Sequence, residues 1–160
     1  MLAKSFLLIC AAATTAVADN NLQFIYDTSS FSAIQGSGSG ATAGFAIGDN
    51  SGNVFYSSSD PGGYSPCMSN SEKIEITSDC WDGTWTFGCT SKFDGNPKEC
   101  SAFAPDGTYY SGTAKSSLSF IGIAAGSDGS CSGGFYAPSE SCSSDSTFTV
   151  TKRYRGDYSG

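Results

Sequence analysis

Histidine is absent from the 160-residue chain, and basic residues are few, eight Lys and Arg against fifteen Asp and Glu. Without imidazole, the serine and cysteine hydrolase triads cannot be assembled in their usual form. Histidine-dependent ribonuclease chemistry is excluded with them. Zinc loses its commonest nitrogen ligand, and no Cys-x-x-Cys pair stands in for it. The closest cysteines have eight residues between them, so no zinc or other metal centre is expected. The net charge of −7 repels phosphate backbones and anionic lipid, so neither nucleic acid nor membrane is an expected partner. No run reaches the ~20 apolar residues of a spanning helix. Asn-x-Ser/Thr is missing, and N-glycosylation is therefore not expected.

What is present begins with an export signal. Lys4, the apolar block Phe6 to Ala13 and the small-x-small site Ala16-Val17-Ala18 describe a secretory signal peptide over residues 1–18. No apolar tail precedes Gly160, so no lipid anchor is expected. The expectation is a secreted, extracellular protein with one β domain over residues 19–151 and a polar C-terminal tail over 152–160. Removing the leader leaves seven basic against fifteen acidic residues, a net charge of −8. Six cysteines remain: Cys67, Cys80, Cys89, Cys100, Cys131 and Cys142. An even number in an exported chain reads as three disulfides.

Period-two patterning dominates. Ile74 and Ile76 alternate with Lys73, Glu75 and Thr77; Trp85, Phe87 and Cys89 alternate with Thr84 and Thr86; Phe148 and Val150 repeat the device. Such alternation marks half-buried strands. Further strands are expected at Leu22–Tyr26, Thr42–Gly48, Asn53–Tyr56, Thr108–Tyr110 and Leu118–Ala124, with Gly/Asn/Asp turns between them. Short strands with such turns specify an all-β, single-domain, disulfide-stapled barrel or sandwich. The run Gly36 to Gly40 reads as a long hairpin loop rather than a linker, because the mature residues before it are too few to bury a core.

In DCWDGTWTFGC, Asp79 to Cys89, Trp85 and Phe87 share the parity of a half-cystine, which places them in the core. Trp81 has that parity too, but Asp82-Gly83 is a turn signal between it and Trp85. Trp81, Tyr64 and Tyr109 are the candidate binding residues, since flat rings with a polar edge stack on sugars. Tyr110 faces away from its neighbour Tyr109 in a strand. No catalytic set emerges. Gly129-Ser130-Cys131-Ser132-Gly133 imitates a nucleophile elbow, but it lacks a base and its cysteine is expected to be oxidised. Glu72, Glu75, Asp79, Asp82, Glu99 and Glu140 could supply a glycosidase pair, yet none stands out from ordinary solvated acids. Asp49-Asn50-Ser51-Gly52-Asn53 spaces oxygen ligands as a calcium loop does, and a side-chain-to-backbone turn explains it with less. Lys152-Arg153 and Arg155-Gly156-Asp157 read as a basic strand end and a polar tail. No cofactor is implied.

FSAIQGSGSGATAGFAIGDNSGNVFY, WTFGC, DGTYYSGTA and CSGGFYAPSESCSSDSTFTV, in that order and spacing, resemble the Alternaria major-allergen-like proteins. The resemblance implies a compact β-barrel secreted by a fungus that engages plant hosts. Members act as elicitors or effectors and bind plant defence proteins or small phenolic ligands. The chain departs from that pattern by extra cysteines and by lacking an early cysteine suited to a dimer link, so a monomer is expected over a covalent dimer. Cys131–Cys142 is the bridge that local spacing and the resemblance favour. For the other four, Cys67–Cys80 with Cys89–Cys100, or Cys67–Cys89 with Cys80–Cys100, remain open. The functional expectation is a non-enzymatic effector or elicitor acting on a host protein or small ligand. A carbohydrate-binding or wall-associated module is the first alternative and a small carboxylate-pair glycosidase the second.

Overall fold

The computed structural model describes residues 20–33, 39–63, 66–67, 72–121, 124–137 and 142–155. The leader, Tyr64, Glu140 and the Gly156-Asp157 part of the tripeptide lie outside them. The described chain forms ten strands: β1 (Leu22–Ala33), β2 (Ser39–Asp49), β3 (Val54–Ser58), β4 (Glu72–Ser78), β5 (Trp85–Ser91), β6 (Pro97–Phe103), β7 (Tyr109–Ser111), β8 (Thr113–Ile121), β9 (Ala124–Phe135) and β10 (Phe148–Arg155). They assemble into two five-stranded antiparallel sheets, in the orders β3-β2-β1-β9-β8 and β10-β4-β5-β6-β7. No helix occurs among the described residues, and neither sheet closes on itself. The all-β expectation therefore holds in its sandwich form. β1 and β2 pair directly, Ser32 opposite Ser39 and Phe31 opposite Gly40, so Ser39 and Gly40 of the expected loop belong to β2, and Gly36 to Gly38 lie outside the described residues.

The two inner faces follow the alternation. Leu22, Phe24 and Tyr26 of β1, Phe45 and Ile47 of β2, Ile74 and Ile76 of β4, and Trp85, Phe87 and Cys89 of β5 are all buried. Phe87 is the pivot between layers. Its ring centroid lies 5.3 Å from Phe45, 5.8 Å from Phe24 and 5.5 Å from Phe135. Trp85 stacks on Phe87 and lies 4.8 Å from Phe135. Each such ring contributes about 1.5–3 kcal/mol by leaving water, so the Asp79–Cys89 stretch is core material. At the far edge Tyr56 of β3 meets Phe148 of β10, 5.7 Å between rings.

The disulfides correct the expected pairing. Cys131 bonds Cys100, Cα atoms 6.0 Å apart, and Cys142 bonds Cys80, Cα atoms 4.9 Å apart. Cys131–Cys142 is therefore overturned. Cys131 points from β9 into the sandwich toward β6 of the other sheet, and closeness across the layers outweighs closeness in sequence. Cys67–Cys89 is present, without the Cys80–Cys100 companion considered with it.

Strand boundaries also move. Leu118–Ala124 is not one strand, for β8 ends at Ile121 and Ala124 opens β9. β6 and the body of β9 were not anticipated. β10 continues to Arg155 past an irregularity between Val150 and Lys152, with Lys152 opposite Glu75 and Arg153 opposite Ile74. The expected tail boundary at residue 152 thus falls inside a strand, and Lys152-Arg153 lies near the end of that strand, as a basic strand end. Between β7 and β8 only Gly112 intervenes, and there the chain passes from the second sheet to the first. The Gly112 amide donates to the Cys100 carbonyl, 2.8 Å. A Cβ at Gly112 would collide with Cys100 Sγ and come within 3.0 Å of the Ser132 carbonyl, so this corner requires glycine.

Candidate functional site

Of the ring residues expected to bind, Trp81 is removed by burial. It is only 5% exposed and packs on Trp85 at 6.0 Å and Phe148 at 5.2 Å. The chain does turn after it, but the turn folds the indole under the sheet. Tyr64 lies outside the described residues. Tyr109 is 57% exposed on β7, whereas Tyr110 faces inward toward Trp85, 5.9 Å away.

The acids are mostly committed to turns. Asp49 Oδ1 accepts from the Ser51 and Asn53 amides, and Oδ2 accepts from Asn53 Nδ2. These bonds, the Asn53 side chain foremost, hold its pKa below the usual Asp value. Asp94 and Asp106 are lowered in the same way, chiefly by the backbone amides of Asn96 and Thr108. The calcium-loop pattern is thus a side-chain-to-backbone turn, and no cluster of three metal-ligating side chains occurs among the described residues. Asp79 accepts from the Thr147 amide, 2.9 Å. Cys131 of the elbow-like motif has no thiol to offer.

A more promising geometry lies on the outer face of the second sheet. Lys73, Gly88, Ser101 and Ser111 form one cross-strand row over β4 to β7. Gly88 leaves the middle of the row without a side chain, and a hollow of about 120 Å³ opens there. Lys73, Thr90, Glu99, Ser101 and Tyr109 line it. Phe103, in the next row, braces two of these walls. Its ring is 5.1 Å from that of Tyr109 and 5.7 Å from Lys73 Nζ, a cation–π distance. The hollow therefore combines an exposed ring, an ammonium, a carboxylate and hydroxyls on a rigid sheet, with Glu99 its only acid.

Beside it, the β5–β6 turn lifts Phe93 wholly into solvent. The turn is pinned from below. The Lys92 amide donates to the Asn96 carbonyl at 2.7 Å, the Gly95 amide to the Lys92 carbonyl at 3.0 Å, and Asp94 accepts from the Asn96 amide and side chain. Asn96 itself is 2% exposed. The backbone of so fixed a turn has little conformational freedom left to lose on contact.

Comparison with protein families, curated proteins and solved structures finds no match. The site must therefore be read from its own chemistry. On the opposite sheet, a second depression of about 240 Å³ holds Asp27, Lys115 and Asp128. Both acids are exposed. Sequence reading named Tyr109 and Glu99 but missed Phe93, Gly88 and Lys73. Gly88 is an outward position in a strand of buried rings, and its missing side chain was the available signal.

Proposed function

We propose that this is a secreted, non-catalytic recognition protein of the effector or elicitor kind, which docks on a plant host protein through the β5–β6 turn. The observation that carries the reading is Phe93, an apolar ring displayed at full exposure on a turn held by four hydrogen bonds. Aromatic anchors that fill a partner's pocket dominate protein–protein affinity, and a pre-organised anchor loses less entropy on binding. Three disulfides suit an oxidising extracellular setting, and the leader-like residues 1–18 supply the export route.

Infiltration of purified protein into leaf tissue tests the proposal. A defence response is expected from the native protein, with loss after reduction and alkylation and a marked weakening in Phe93→Ala. No response in any host, or an undiminished response from Phe93→Ala, would sink it.

A further inference from the structure

We infer that the hollow over Gly88 is a separate subsite for one pyranose unit of a neutral polysaccharide. Its composition selects that ligand class. A sugar ring offers an apolar C–H face and a rim of hydroxyls that both donate and accept. Tyr109 supplies the stacking surface. Glu99 accepts from sugar hydroxyls, Lys73 donates, Ser101 does either, and Thr90, whose own hydroxyl donates to the Glu99 carbonyl, accepts. About 120 Å³ is on the scale of a single sugar ring.

Charge sets the subclass. At −7 for the whole chain, the protein repels polyanions at long range, so the preferred glycan is uncharged. Phe103 is a positioning residue, because it holds the Tyr109 ring and the Lys73 ammonium at opposite sides of the hollow.

Calorimetric titration with soluble β-1,3-glucan, chitin and cellulose oligosaccharides tests this, with polygalacturonate as the anionic comparator. At least one neutral oligosaccharide is expected to bind. Tyr109→Ala and Glu99→Gln should each weaken it about tenfold or more, while Phe93→Ala and the opposite-face variant Asp27→Asn bind as the native protein does. Near-UV circular dichroism confirms that each variant is folded. Binding of none of the three neutral glycans would overturn the inference, as would equal binding by Tyr109→Ala or a preference for polygalacturonate. Loss of the leaf response in Phe93→Ala with glycan binding retained would show two independent surfaces.

Discussion

Removing the Cys80–Cys142 bridge is the sharpest test of the fold. The two residues are 62 apart in sequence, and closing a loop of that length restricts the unfolded chain by roughly 4 kcal/mol in the chain-entropy treatment. The double variant Cys80→Ala/Cys142→Ala should lose about that much stability, read from guanidinium unfolding. The thermal midpoint should fall by on the order of 10–15 °C for a domain of this size. Cys67–Cys89, separated by 22, closes a shorter loop, and its removal should cost about 3.4 kcal/mol. Thiol titration of the denatured double variant discriminates the pairing directly. With Cys100–Cys131 and Cys67–Cys89 intact, the variant without its leader, and so without Cys10, contains no free thiol. Had Cys142 been bonded to Cys131, the same two substitutions would orphan two cysteines. A count of two, or a stability loss below about 1 kcal/mol, would refute the topology that places Cys142 against Cys80.

Trp85→Ala should destabilise by about 3–5 kcal/mol, because the indole is 1% exposed among Phe87, Phe135 and Tyr110. Trp85→Phe should cost far less in the same denaturation assay, since the Trp85 indole N–H finds no acceptor among the described residues and its loss removes no hydrogen bond. Stability should also fall at low pH. Asp49, Asp94 and Asp106 have pKa values below those of the unfolded chain, so their contribution is complete above about pH 4 and disappears as the pH drops through the folded values. The triple Asp→Asn variant should show a flatter acid limb in denaturation midpoints measured from pH 6 to pH 2.

Where one face of a strand meets rings and the other meets water, the sequence was legible. β4, β5 and the start of β10 show that contrast directly, and β2 and β3 lie close to their expected positions. β9 was hidden because Ala-Ala-Gly-Ser-Asp-Gly-Ser reads as a loop by strand propensity. It is nevertheless paired along its length with β1 and β8. Its small inward residues answer to the other layer. A Cβ at Gly129 would press on Asn96 and Pro97, and one at Gly133 on the Ser111 carbonyl of β7 as well as on the Phe24 ring of its own sheet. β6 was masked by Pro97, which is tolerated because it is the strand's first residue. The disulfide pairing could not be deduced from spacing, since it depends on which strands of opposite layers face each other. The candidate site suffered similarly. Tyr109 was visible as a ring in a short strand, but the hollow depends on register, with Lys73, Gly88 and Ser101 aligned across three strands.

The Gly112 corner gives the molecule a spine. Of the three bridges, Cys100–Cys131 alone joins a strand of one sheet to a strand of the other, and it lies where the backbone itself crosses between leaves. At the fore-edge, Tyr56 and Phe148 are pressed together without covalent help. Any breathing of the two leaves is therefore hinged, widest beside β3 and β10 and least beside β6 and β7. Tyr109, Ser101 and Glu99 belong to the bound side of that book.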